Sequence, residues 1–411
     1  MQFFTCINAL AAAAVLLLAN VAPVASRTTD NAIAGEYIIQ LKPDTTASID
    51  AHYDKVRSIH ARNLDCRNSC NFSAGIQHKY QFNNFQAYAG SFDYATIKEI
   101  EALPEVLFVE PNYRVEINSI VNQSPTRWNL ALLSYSTWVR NWPVFRKSYV
   151  YDSSAGAGTF SYVLDTGIRL SHSEFGGRAI FGYNAVTYST TDDDETGHGT
   201  HVAGIIGGTT YGVAKSTTLV AVKVLGTGLG SIGDLLNGFE WAVRDIRIRN
   251  RNLTAVINIS VAPLGRSVVL ENAVDAAEGP ERSVLVVTCA VNRHRDAARE
   301  SLCRSPGSIC VGAVDQKLQV SRDSNFGPTV DIYAPGTDIM SADSKSDTST
   351  KILSGTSAAS AHVAGLVSYL RGLEGPSSAA NIKARVYALA RKHVILGTRG
   401  GNNLLAYNGA L

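Results

Sequence analysis

The sequence predicts a three-layer α/β fold with a mostly parallel sheet, preceded by a small ferredoxin-like α+β domain. Three observations carry this. Short apolar runs bounded by turn residues recur from residue 119 to the end. Helical stretches lie between them, the alternation of a sheet covered on both faces. Residues 35–118 follow the different order βαββαβ, the split arrangement of a ferredoxin-like sandwich.

Residues 1–26 read as a secretory signal. Ala9 to Ala22 is uncharged and dominated by Ala, Leu and Val, the first charged side chain is Arg27, and Val24-Ala25-Ser26 offers small residues for cleavage. The run falls short of the ~20 apolar residues of a membrane span, and no later stretch reaches that length, so a secreted, extracellular protein is expected. The n-region carries no Lys or Arg. The 411-residue chain is 45% hydrophobic, with 37 Lys and Arg against 35 Asp and Glu. That is ordinary globular composition and gives no electrostatic reason to expect a nucleic acid or membrane partner. A monomer is expected. Of the six cysteines, Cys6 leaves with the signal and Cys66 and Cys70 can pair locally. Cys289, Cys303 and Cys310 then leave one bridge and one free thiol, the pairing open.

In the first domain, Glu36–Lys42 reads as a strand, Ser48–Ala61 as an amphipathic helix and Lys79–Phe92 as strand, turn and strand. Tyr94–Leu103 reads as helix and Val106–Glu110 as strand. Glu116–Gln123 has no apolar period and reads as an exposed linker. Beyond it, strands are predicted at Thr159–Leu164, Leu219–Leu225, Ala255–Val261, Ser283–Ala290 and Ser308–Val314. Helices are predicted at Ile232–Arg247, Ser267–Glu278 and Ser360–Leu373.

In such folds chemistry gathers at the carboxyl ends of the strands, and three motifs fall at strand-to-helix junctions. Asp165 ends a buried strand in Val163-Leu164-Asp165-Thr166-Gly167. His198 opens a small-residue helix in Gly197-His198-Gly199-Thr200-His201. Ser357 opens a longer apolar helix after Ser354-Gly355-Thr356. A serine becomes nucleophilic when an imidazole takes its proton and a buried carboxylate orients that imidazole. Each motif has a plainer reading: a turn residue for Asp165, a two-histidine metal site for His198 and His201, and a helix cap for Thr356-Ser357. Together, in the order Asp, His, Ser, they point to a catalytic triad.

The motifs LDTGI, GHGTHVAG, YGVAK, DIYAPGT, SGTSAASAHVAG and NLLAYN resemble the subtilisin-like serine endopeptidases, within them the proteinase K branch. The resemblance runs from Gly35 to Asn408. It implies a subtilisin-like peptidase domain over residues 119–411, with Asp165, His198 and Ser357 catalytic and no cofactor required for catalysis. It makes Asn292, after Val286–Val291, the oxyanion donor. Residues 35–118 resemble the inhibitor-type propeptide of these enzymes, an intramolecular inhibitor removed by a cut between Asn118 and Gln123. Protein or peptide substrates follow. A catalytically weak or inactive homologue that binds peptides is the alternative.

Several positions depart from the family pattern. Ala290-Val291-Asn292 stands where Ala-Gly-Asn is usual, and Ser260-Val261-Ala262-Pro263 where Ser-Leu-Gly-Gly is usual. Added Cβ atoms at Val261, Ala262 and Val291 predict a narrowed pocket for the residue before the cleaved bond. Ala358 replaces a common, oxidisable Met. Ser305–Val311 is shorter than the stretch that carries calcium-binding carbonyls in the proteinase K branch. This leaves a structural calcium open, with Asp331 its candidate carboxylate. Asp192–Glu195 could bind a cation or raise the His198 pKa but reads as a solvated acidic loop, and Arg244–Arg251 as a snorkelling helix face. Asn71, Asn122 and Asn252 head glycosylation sequons, while Asn258 heads one on a buried strand.

Overall fold

The computed structural model describes residues 32–43, 48–65, 74–113, 120–137, 148–189, 191–278 and 284–410. The predicted signal, Cys66, Cys70 and Asn71 lie outside the described residues. The chain divides into two compact units, residues 1–116 and 117–411.

In the first unit the strands are β1 (Ala32–Leu41), β2 (Gly75–Phe82), β3 (Phe85–Ser91) and β4 (Val106–Tyr113), with helices α1 (Ile49–Asp65) and α2 (Tyr94–Glu101). The sheet order β2-β3-β1-β4 is wholly antiparallel, as the ferredoxin-like reading requires. Its core is Ile39, Leu41, Val56, Tyr88, Phe92, Ile97 and Ile100. Asp93 caps α2 by accepting from Thr96 N, satisfying an N–H the helix cannot.

The second unit opens with β5 (Ile120–Gln123), α3 (Trp128–Ser134), β6 (Tyr149–Asp152), β7 (Phe160–Asp165), β8 (Ala179–Asn184) and α4 (His198–Gly207). Next come β9 (Thr218–Lys223), α5 (Ile232–Ile248), β10 (Ala255–Ile259), α6 (Val268–Ala277), β11 (Leu285–Cys289), β12 (Ser308–Val314) and β13 (Ile332–Pro335). A hairpin follows, β14 (Ile339–Ala342) with β15 (Thr350–Leu353). The chain ends with α7 (Thr356–Glu374), α8 (Ala379–Leu389), β16 (Arg391–Lys392) and β17 (Leu404–Leu405). The main sheet runs β16-β17-β13-β12-β11-β10-β7-β9-β8 and is parallel except for β16. Alternate side chains of each strand face opposite layers. Val163, Ala221, Val256, Val287 and Val311 pack on α3, α4, α7 and α8. Tyr162, Leu164, Val222, Ile257 and Val286 pack on α5 and α6. Strand order reverses around β7, the place where such sheets open a crevice.

One expectation is overturned. The stretch read as linker contains β5, whose residues Ile120–Gln123 pair antiparallel with β6 from Gln123↔Tyr149 to Ile120↔Asp152. Backbone pairing, not an apolar face, holds this strand, so periodicity could not reveal it. Residues 116–119 lie outside the description. Asn122 is exposed, open to glycosylation, and Asn258 is fully buried. Asn252 is half-buried, and its Nδ2 is covered without a hydrogen-bond partner.

The one-bridge arithmetic resolves as a Cys303–Cys310 disulfide with Cys289 free and buried. Burial pushes the Cys289 thiol up to about 11, so it is thiol rather than thiolate at neutral pH. A form of the protein beginning after residue 118 should therefore give no thiol reaction with Ellman's reagent when native and one when denatured. A thiol that reacts in the native state would contradict this burial.

Candidate active site

Asp165 is the last residue of β7 and has no solvent exposure. Its Oδ1 accepts from Thr166 N at 2.8 Å and lies 2.7 Å from His198 Nδ1. That bond makes Nδ1 the protonated nitrogen and leaves Nε2 to accept a proton. His198 begins α4, after Gly197 in a left-handed conformation with φ 80°. Glycine is required at two nearby positions. Gly167 has φ 109°, and a Cβ on Gly199 would stand 2.1 Å from Gly167 O. These two positions let the strand end and the helix start touch.

The electrostatics of His198 are a contest. Burial disfavours the imidazolium, the Asp165 charge and hydrogen bond favour it, Asp194 adds to them, and the net is a raised pKa. Asp194 was missed by sequence reasoning, hidden in an acidic run read as solvated. Asp192, Asp193 and Glu195 are exposed as expected, but Asp194 is buried. Its Oδ1 accepts from Thr166 Oγ1 at 2.7 Å and Gly197 N at 2.9 Å, and its Oδ2 from Thr200 N at 2.8 Å and Thr200 Oγ1 at 2.7 Å. It thus ties the residue after Asp165 to the turn that presents His198. The available signal was its position three residues before Gly197, with Thr200 three beyond, a side-chain cap pattern. Lys223, at the end of β9 and 1% exposed, donates to Thr166 O at 2.9 Å and Asp193 O at 2.7 Å.

Ser357 is the second residue of α7, a helix buried on nearly every face. Its carbonyl accepts from Ser260 Oγ at 3.3 Å, and Ser260 Oγ also donates to Asn258 Oδ1 at 2.7 Å. The Ser260 hydroxyl is thus turned inward, away from any ligand. Ser357 Oγ makes no hydrogen bond to the imidazole here; in free enzymes such bonds are commonly long and tighten only with substrate. Asn292 Oδ1 accepts from Thr356 N at 2.9 Å and Thr356 Oγ1 at 3.0 Å. With its oxygen engaged, the amide presents Nδ2 as a donor beside the start of α7.

Val291 is strained. Its φ is 73°, left-handed and unusual for a β-branched residue, which costs about 1–3 kcal/mol. A second residue missed by sequence reasoning holds it there. Buried Asn325 donates its N–H to Val291 O at 2.9 Å, and its Oδ1 accepts from Arg293 N at 3.1 Å and Arg295 N at 3.0 Å. Arg293 joins the two pocket segments, donating to Pro263 O at 3.1 Å and to Glu300 at 3.2 Å. Val261 and Ala262 are half-buried just beyond β10.

The two-histidine metal reading fails. His198 is engaged by Asp165, while His201 is 1% exposed with Nε2 3.0 Å from Ile339 O, and burial lowers its pKa to about 4. Among the described residues no cluster of three or more His, Cys, Asp or Glu could hold a metal. In the Arg244–Arg251 face, the Arg251 guanidinium carbon lies 3.7 Å from the Phe160 ring centre and its Nη1 donates to Tyr162 Oη at 2.8 Å, so this head packs on the domain instead of snorkelling to water.

The Asp194 carboxyl pKa is lowered: burial raises it, but the hydrogen bonds from Thr200, Thr166 and the backbone outweigh burial. Its stabilisation is therefore present above the ordinary carboxylate pKa of about 4 and lost as pH falls through the lower folded value. Asp194→Asn should lower Tm at neutral pH, with the difference shrinking in acid. It should also move the acid limb of kcat/KM to lower pH, since His198 would lose one source of its raised pKa. An unchanged pH profile would show that Asp194 does not act on the imidazole.

The geometry agrees with comparisons to known proteins. The profile of the Subtilase family matches residues 156–406, and that of Peptidase inhibitor I9 matches residues 36–118. Alkaline protease 1 of Aspergillus clavatus is 44% identical over 385 residues, covering 93% of each chain. Alkaline proteinase of Hapsidospora chrysogena is 41% identical over 410 residues, covering 96% of this chain and 98% of that one. Among solved structures, a cold adapted subtilisin-like serine proteinase superposes with TM-score 0.63 at 34% identity, covering 69% of this chain and 99% of that one. The chain belongs to the subtilase family and is a serine endopeptidase carrying an I9 propeptide domain.

Proposed function

We propose that Asp165, His198 and Ser357 are the triad of a secreted endopeptidase and that Asn292 is its oxyanion donor. The observation that carries this is the 2.7 Å bond from a fully buried Asp165 to His198, with Asn292 fixed at the start of the helix that carries Ser357. Ser357 Oγ attacks the peptide carbonyl carbon while its proton passes to His198 Nε2. The carbonyl electron pair moves onto oxygen, where Asn292 Nδ2 and the Ser357 N–H receive it. The first N–H groups of a helix lack intrahelical partners, and the dipole favours negative charge there. Collapse breaks the C–N bond, the amine leaves with the His198 proton, and water then releases the acyl group by the same path reversed. Asp165 holds the imidazole tautomer throughout.

The I9 domain is proposed as the intramolecular inhibitor, removed during maturation. The pairing of β5 with β6 supports a cut before Ile120, which narrows the expected interval to 118–120; amino-terminal sequencing of the matured enzyme reads it directly. Exposed Asn122 and half-buried Asn252 are the glycan sites proposed for this domain. Asp331, considered as a calcium ligand, has no part in catalysis on this reading.

A fluorophosphonate probe should label the matured wild-type protein and leave Ser357→Ala unlabelled. Absence of labelling in mature wild type would favour an inactive peptide-binding homologue. Asn292→Ala should keep labelling but lose about 100- to 1000-fold in kcat, a figure that comes from a subtilisin rather than from this geometry. The Cβ groups of Val261, Ala262 and Val291 favour small side chains before the cleaved bond. Substrates with Ala there should turn over faster than those with Phe, and Val291→Gly should raise the Phe-to-Ala ratio about tenfold or more. Faster turnover of Phe by the wild type would refute the narrowed pocket.

A further inference from the structure

The shortened Ser305–Val311 stretch and Asp331, paired by family resemblance as a calcium site, converge on a residue that the sequence did not single out. Lys383, on α8, donates from Nζ to Pro306 O at 2.7 Å and to Ser308 O at 2.7 Å. Burial raises the Asp331 carboxyl pKa, and the Lys383 charge works against that rise. Asp331 Oδ2 accepts from Cys310 N at 2.8 Å. Pro306 O, Ser308 O and Asp331 Oδ2 therefore each have a protein donor.

The donor set does not fit calcium. That ion needs six to eight hard oxygens at roughly 2.3–2.6 Å. Here two carbonyls accept from a fixed ammonium, and the described residues include no group of three or more His, Cys, Asp or Glu that could hold a metal. Nor does the loop need an ion to hold its shape. The Cys303–Cys310 disulfide closes it, and Asp275 of α6 accepts from Ser305 Oγ and from Gly307 N at 3.3 Å.

We propose that the Lys383 ammonium takes the place of a structural divalent cation, tying α8 to the 305–308 loop and the start of β13, and that this site excludes calcium. Three N–H donors on one centre can serve two carbonyls and still face a carboxylate. The charge is covalently attached, so neither a chelator nor dilution can remove it.

The test uses matured enzyme blocked with a fluorophosphonate so that autolysis does not distort the melt. Circular dichroism melts are run in calcium chloride and in EGTA. Wild type should melt within about 1 °C in the two conditions. Lys383→Met, which keeps the stem and removes the charge, should lower Tm by about 3 °C or more in both, and Lys383→Arg should restore part of the loss. A calcium-dependent rise in wild-type Tm that disappears in Asp331→Asn would overturn the proposal, as would an unchanged Tm in Lys383→Met. Melting does not require activity. A protein that fails to label can still be melted unblocked, so failure of the catalytic reading is a separate result.

Discussion

Burying the Asp165 carboxylate at the end of β7 is the constraint around which the rim of this sheet is organised. An ionised carboxylate removed from water is costly unless charge and hydrogen bonds replace its solvation. His198 and Thr166 N supply part of that on one oxygen. The other Asp165 oxygen, Oδ2, is buried without a hydrogen-bond partner, and what fixes the pair is arranged one step out. Asp194 grips Thr166 and the start of α4, so the imidazole cannot drift, and Lys223 sets its ammonium against Thr166 O. Two buried carboxylates close together would repel, but each is engaged by donors aimed at it. The same contacts that keep the charge tolerable fix the direction in which His198 points.

The other half of the site solves a different problem, that of holding a polar helix start against a pocket wall. Because α7 is buried almost all round, its first turn is positioned by the whole core rather than by its own loop. Asn292 adds a local tie through Thr356. Asn325 then holds the Val291 turn from behind through three backbone contacts. Strain is tolerated where neighbours over-determine the backbone, and a valine at φ 73° is such a place. Its cost falls beside Asn292, next to the segments proposed as the oxyanion site and substrate pocket.

Much of this was legible in the sequence because it rests on patterns of adequate length. The apolar strands β7, β9, β10, β11 and β12 and the helices α5, α6 and α7 announce themselves by period, and the three catalytic motifs sit at their ends. The subdomain order βαββαβ was readable for the same reason. What escaped was held by backbone pairing and specific polar contacts, which leave no apolar period. The strand β5 exists through pairing with β6. The strands of the β14–β15 hairpin have four residues each, too short for a period to register. Asp194 looked like its three acidic neighbours, and only the fold decides which member of such a run turns inward. Asn325 and Lys383 act across long sequence separations, on partners that no local window contains.

A common device links several of these hidden contacts: a basic side chain placed against two or more backbone carbonyls. Lys223 spans Thr166 O and Asp193 O. Arg178 reaches Gly207 O, Thr217 O and Glu174 O. Lys383 joins Pro306 O and Ser308 O. Carbonyls at strand ends and loop turns lack ladder partners, and leaving them buried without donors is costly. A divalent cation can satisfy such oxygens, but only with a full coordination shell. A side-chain cation needs two or three acceptors and brings its own anchorage. Loops too short to wrap an ion can still be pinned this way, as Lys383 pins residues 306–308 where β12 begins.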